Sequence, residues 1–303
     1  MLRSMRALIR DAGLKLATCP VPKAAVGEVL VSVRSAGICR TDVYVADGQL
    51  PVSEPRVLGH EAAGVVEVGD ARFEAGSHVV VDPALSCRAL SNTPCLACAR
   101  GTPCAVPVML GVDRDGAFAD LMAVPSRALY RVPASVPWEH AAMAEPVAAA
   151  LGVLRAPIDR HGRGAVCGQG RIADLLVRVL EVAGFSLIPW CDEPRDLDWV
   201  IEARATEATF EQAMRALRPG GTLVLKSRPP KGVAIDVAYA VRRELTLVAR
   251  SYGAFDDAIA WLASGRIALD DLVGETYPIE RFDAAFAQAR TDERQKIFFT
   301  MEP

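Results

Sequence analysis

The 303-residue sequence changes character once, near Val136, and that change limits its fold more than any single motif. Upstream, short Val-rich runs at 28–33, 64–68 and 77–81 are broken by Gly48, Pro51, Pro55, Gly59, Gly69, Gly76 and Pro83, the punctuation of a small, irregular β-rich domain. Residues 137–154 are Ala-rich and favour helix. From Gly164 onward, apolar runs alternate with helical stretches. Strands are expected at 165–167, 185–190, 199–203, 222–225 and 245–249, and helices at 171–183, 206–217 and 255–263. Such alternation calls for a parallel α/β sheet. The tail carries an amphipathic helix, with Phe282, Ala285, Phe286 and Ala289 at helical spacing, and a closing strand at 297–299. The fold class is therefore two-domain α/β.

Composition narrows the function. Hydrophobic residues make up 51% and charged residues 23%, as in ordinary globular chains, and the net charge of −3 is spread along the sequence. That balance gives no footprint for nucleic acid or an acidic membrane surface. No apolar run is long enough for a membrane span or a signal peptide, so the expectation is a cytoplasmic protein.

Four of the eight cysteines, Cys87, Cys95, Cys98 and Cys104, fall within eighteen residues. Two residues separate Cys95 from Cys98, which lets both thiolates reach one ion from a tight turn. Four sulfurs would close a tetrahedral zinc shell, making it structural. A second group of ligand types lies upstream. Gly37-Ile-Cys-Arg-Thr-Asp42 supplies Cys39, and Gly59-His-Glu61 supplies His60 and Glu61. Thiolate, imidazole and carboxylate are the ligands of a catalytic zinc that keeps one position open.

These motifs, with the four-cysteine lobe, residues 110–120 (LGVDRDGAFAD) and Glu145-Pro146, resemble the zinc-dependent medium-chain dehydrogenases/reductases, the alcohol dehydrogenase-like family. The resemblance runs nearly the whole chain and is most specific between Gly37 and Pro146. It implies a GroES-like catalytic domain over 1–148 and 267–303 and a truncated Rossmann-like domain over 149–266. Cys39 and His60 would ligate zinc, with Glu145 or Glu61 as third ligand; otherwise Glu61 would tune the ion from outside the shell. Thr41 would pass a proton from the alcohol towards solvent, and Arg40 would meet the cofactor pyrophosphate. Tyr44 stands where some members carry a His in the relay. The cysteine lobe departs from the usual spacing: Cys87 stands apart and the final gap is short. Residues 245–250 resemble the strand through which the family pairs, which implies a homodimer.

Gly168-x-Gly170-x-x-Ala173 follows a strand and opens a helix, as the dinucleotide fingerprint requires. Gly168, Gly170 and the adjoining Arg171 are the candidate NAD(P) contacts. About one strand and one helix are missing before the strand near 199–203. Two alignments account for this. In the first, 185–190 is the second strand and Asp192 takes the place of the ribose-binding acid. In the second, which the Pro189 and Asp192-Glu193-Pro194 pattern favours, the ribose-binding strand is absent and 184–203 is the third-to-fourth-strand passage.

Three readings follow. A zinc-dependent oxidoreductase would interconvert a small alcohol and an aldehyde or ketone with NAD(P). A non-redox zinc Lewis-acid enzyme of lyase or cyclase type would use the same scaffold without nicotinamide. A chain with structural zinc alone would serve in an assembly. The joint presence of Cys39, Thr41, His60, Glu61 and Glu145 argues against the last.

Overall fold

The structure, a computed structural model, describes residues 3–91, 93–191 and 194–301. In chain order it runs β1 (Ser4–Arg10), β2 (Leu14–Pro20), β3 (Glu28–Gly37), α1 (Arg40–Ala46), β4 (Arg56–Val57), β5 (Glu61–Val68), β6 (His78–Val81) and β7 (Ala84–Leu85). Next come α2 (Cys87–Leu90), α3 (Leu96–Ala99), β8 (Val108–Met109), β9 (Leu121–Pro125), β10 (Leu129–Arg131), α4 (Trp138–Ala142), α5 (Ala144–Leu151), β11 (Gly164–Cys167), α6 (Arg171–Val182), β12 (Leu197–Glu202), α7 (Glu207–Ala216) and β13 (Leu217–Leu225). The chain ends through α8 (Val237–Arg242), β14 (Thr246–Ala249), α9 (Phe255–Ala263), β15 (Val273–Pro278), α10 (Phe282–Thr291) and β16 (Lys296–Thr300). It divides into two compact units, Met1–Glu145 with Leu269–Pro303, and Pro146–Ala268.

The first unit is built on a sheet of order β10-β6-β5-β3-β16-β15, with β9 also paired to β3. β3 is the central strand. It pairs antiparallel with β5, β9 and β16, which explains why it runs on to Gly37, past the short Val-rich stretch. Its alternating Val29, Val31 and Val33 join Phe118, Phe286 and Phe299 in one buried core. Phe118 and Phe299 meet edge-to-face at 5.0 Å between ring centres.

The second unit is a four-stranded parallel sheet of order β11-β12-β13-β14. α6 buries Ala173, Leu175, Leu176, Val179 and Leu180, the apolar stripe of an amphipathic helix. Gly164 is required at the start of β11 because a Cβ there would lie 2.0 Å from the buried Trp199 ring.

Residues 185–190 correct the sequence reading. They form no strand: Leu187 alone bridges Gly164, with Ile188 N donating to Gly164 O at 2.8 Å. Pro189 has no N–H to continue the ladder, and Cys191 N turns back to Pro189 O at 2.9 Å. The bridge is parallel and lies on the edge of β11 that β12 leaves open. In doubly wound sheets the second strand takes that edge and the fourth takes the other. The segment therefore sits in the second strand's place as a remnant, and β12, β13 and β14 follow as fourth, fifth and sixth. Asp192 lies outside the described residues.

Candidate metal centres

The first centre gathers at the ends of two strands. Cys39 lies just beyond β3 and N-caps α1, His60 immediately precedes β5, and Glu61 begins it. One ligand atom from each lies within 4.8 Å of the others, and His60 and Glu61 are buried. Local sequence explains the placement. Gly59 has φ +92°, and a Cβ there would stand 2.4 Å from the Phe118 ring, so only glycine turns the chain into His60 at this packing. Asp42 then ties the pieces together. Its Oδ2 accepts from Cys39 N at 2.8 Å, and its Oδ1 accepts from Gly59 N at 3.1 Å and stands 3.4 Å from His60 Nδ1.

The electrostatics of this group suit a cation. Burial alone would lower the His60 pKa, but the Asp42 carboxylate and the Cys39 sulfur outweigh it and hold the imidazole well above its usual range. Glu61 makes a buried ion pair with Lys296. His60 Nδ1 thus faces Asp42 and Glu61 Oε2 faces Lys296, each held by a charge rather than by an aligned hydrogen bond. A thiol, an imidazole and a carboxylate converging within 4.8 Å of one another are the donor set of a divalent ion such as zinc.

The other candidate residues distribute around this group. Thr41 Oγ1 is 3.8 Å from Cys39 Sγ. Tyr44 lies half-buried on α1, outside the converging set. Arg40 opens α1, its guanidinium donating to Arg290 O at 3.4 Å and standing 4.0 Å from Glu293. Glu145 is buried at the start of α5 but is not among the atoms that converge within 4.8 Å. It neighbours Asp82, whose carboxyl is pushed up to about 6 by burial, against a bond from Ala84 N, and by the charge of Glu145. His78 stacks on Trp138 at 4.5 Å, and His140 contacts Asp270 at 2.9 Å. Sequence reasoning overlooked Asp42 and Lys296. Asp42 was detectable as the acid three residues after an N-cap; Lys296 carried no local signal beyond a lone charge opening an apolar strand.

The second centre is the lobe between β7 and β8. The sulfurs of Cys87, Cys95, Cys98 and Cys104 all lie within 4.8 Å of one another, with Cys95 Sγ and Cys104 Sγ 4.0 Å apart. Four sulfurs about 2.3 Å from one ion stand about 3.8 Å from each other. Backbone N–H groups already point at the sulfurs: Cys95 N donates to Cys87 Sγ at 3.0 Å, Cys87 N to Cys104 Sγ at 3.4 Å, and Cys98 N to Cys95 Sγ at 3.5 Å. Bonds from Cys98 N and Ala105 N hold the Cys95 thiol down to about 6, while the neighbouring Cys87 sulfur and burial push Cys98 up to about 12. The short final gap noted in the sequence thus still closes a four-sulfur shell.

In the second unit, Gly168 (φ +129°) and Gly170 (φ +91°) shape the turn from β11 into α6, with Gly170 as N-cap and Arg171 as first helical residue. Ala173 is buried, as close helix–strand packing requires. A second carboxylate, Glu202, is fully buried at the end of β12; its Oε2 accepts from Lys226 N and Ser227 N at 3.2 and 3.1 Å.

Residues 25–134 match the model of the alcohol dehydrogenase GroES-like domain. The L-threonine 3-dehydrogenase of Pyrococcus horikoshii is 28% identical, with 96% of each chain covered, and the sorbitol dehydrogenase of Gallus gallus is 26% identical over 99% of this chain and 97% of the relative. The threonine dehydrogenase alignment spans 346 positions, so more than forty have no counterpart in this chain. An alcohol dehydrogenase of Escherichia coli (RspB), solved with NADH, superposes with a TM-score of 0.86 at 23% identity, covering 98% of this chain and 99% of the other. With its metal-ligand motifs, its two-unit fold and relatives alignable from end to end, this chain is similar along nearly its whole length to the zinc-type medium-chain alcohol dehydrogenases.

Proposed function

We propose that this protein is a zinc-dependent oxidoreductase that interconverts an alcohol and an aldehyde or ketone with NAD(P). The observation that carries the proposal is the convergence of Cys39, His60 and Glu61 within 4.8 Å. The relatives named as threonine and sorbitol dehydrogenases and the NADH held by the similar RspB structure support it.

In this reading Cys39 and His60, with Glu61 or Glu145, hold the catalytic ion, and the four-cysteine lobe holds a second, structural ion. Bound zinc supplies Lewis acidity towards the substrate oxygen. Asp42 orients His60, and Thr41, next to Cys39, carries the substrate proton outward, with Tyr44 a candidate further along that route. The turn at Gly168 and Gly170 lets backbone N–H groups of α6 face a pyrophosphate, with Arg171 as a candidate cation.

We further propose a homodimer formed through β14. That strand ends the sheet with its outer edge unpaired among the described residues, and Val237 and Val241, one helical turn apart on α8, are 67% and 69% exposed. A reducing compartment such as the cytoplasm suits eight cysteines that form no disulfide among the described residues. No helix among the described residues is long and apolar enough to cross a membrane.

Screening alcohols for production of NAD(P)H tests the function. Activity with at least one alcohol, lost in Cys39→Ser, is expected. Two zincs per chain without activity towards any alcohol or carbonyl would contradict it.

A further inference from the structure

We infer that Lys296 is a positioning residue of the first metal centre: it competes with the ion for Glu61 and so keeps a coordination position open. The inference rests on the metal-centre reading above.

The strand register puts the pair in place. Glu61 opens β5 opposite Gly37 at the end of β3, and β16, which Lys296 opens, pairs with β3 from the other side. Glu61 and Lys296 reach each other across Gly37. A Cβ at Gly37 would stand 2.7 Å from Glu61 Oε2 and 3.1 Å from Lys296 Cδ, so the glycine makes the passage for both chains. Both residues are 1% exposed. Lys296 Nζ also donates to Ile38 O at 3.3 Å, the carbonyl just before Cys39.

A lysine this deeply buried is retained only with a charge partner. Glu61 is that partner through its Oε2, and a carboxylate paired with one ammonium still has lone pairs free to ligate. The charges are also matched. The thiolate of Cys39 and the carboxylates of Asp42 and Glu61 carry three negative charges, and a divalent ion with the Lys296 ammonium carries three positive ones. While Lys296 holds Glu61, the ion keeps more of its own charge, and with it more Lewis acidity, than it would with the carboxylate bound.

Lys296→Met removes the competitor and the nearby positive charge. The test is metal titration of wild type, K296M, K296R and the double variant E61Q/K296M, using Co(II) in place of zinc and reading the dissociation constant, the visible spectrum and the gain in Tm on loading. We expect K296M to bind the ion of the first centre about tenfold more tightly, the scale on which groups outside the shell tune metal sites. Its visible bands should weaken as the coordination number rises, and its gain in Tm on loading should exceed that of wild type. K296R should match wild type, and E61Q/K296M should lose both the tight binding and the spectral change. If K296M accumulates poorly as apoprotein, Lys296→Gln, which keeps a neutral donor to Glu61, should shift in the same direction. A lysine that merely props the fold would give weaker metal binding and an unchanged spectrum in K296M; that result overturns the inference alone. Wild-type protein that binds one ion, in the cysteine lobe only, overturns both the inference and the metal-centre reading.

Discussion

Gly59 carries two constraints in one residue, a left-handed backbone and a ring packed where a Cβ would be. Gly59→Ala should therefore cost about 2–5 kcal/mol in chemical denaturation, from backbone strain and overpacking together. An effect under about 1 kcal/mol would show that the loop before His60 has room to shift. Asp82 offers a test of charge. Its folded pKa of about 6 lies above the ordinary value of 3.8, so its favourable protonated form is fully present below the ordinary value and is lost as pH rises to 6. Asp82→Asn, which keeps the acceptor for Ala84 N, should raise Tm above pH 6 and give no gain near pH 4. About two pKa units sets an upper bound near 3 kcal/mol; a Tm gain equal at both pH values would refute the assignment. Cys39, His60 and Glu61 were readable because two short motifs contain all three. Lys296 was not, because its partner lies at the other end of the chain and only the pairing of β5, β3 and β16 joins them.

At the scale of elements, the cysteine lobe is a loop with two helices of four residues each, so an ion must supply much of its order. Cys98→Ser should remove one of two zincs, lower Tm, and leave metal at Cys39 and His60. Loss of both metals together would mean that the two centres are not independent. The strands of the second unit were legible from their β-branched runs, and the helices from their periodicity. The exception, 185–190, has an apolar run like a strand but ends in Pro189, and a single bridge is all it forms. Its place beside β11 depends on sheet order, which local pattern does not encode. The dimer proposal also belongs here: Val241→Glu should shift the protein from dimer to monomer in sedimentation, while an unchanged dimer would move the interface away from α8.

At the scale of the whole molecule, one unit gathers both metal-ligand sets and the other is a shortened Rossmann-like sheet. The second unit keeps β11, the glycine turn and α6, and continues with the strands in fourth, fifth and sixth position. What is reduced is the side of the sheet on which a dinucleotide-binding fold places its ribose-binding acid. Gly168 and Gly170 at positive φ and the buried Ala173 keep the turn geometry that a pyrophosphate site needs. The most direct measurement is calorimetric titration of the zinc-loaded protein with NAD, NADH, NADP and NADPH. Binding of one oxidised–reduced pair at micromolar strength is expected. No binding by any of the four, with two zincs present, would contradict it and leave a zinc Lewis-acid enzyme without hydride transfer.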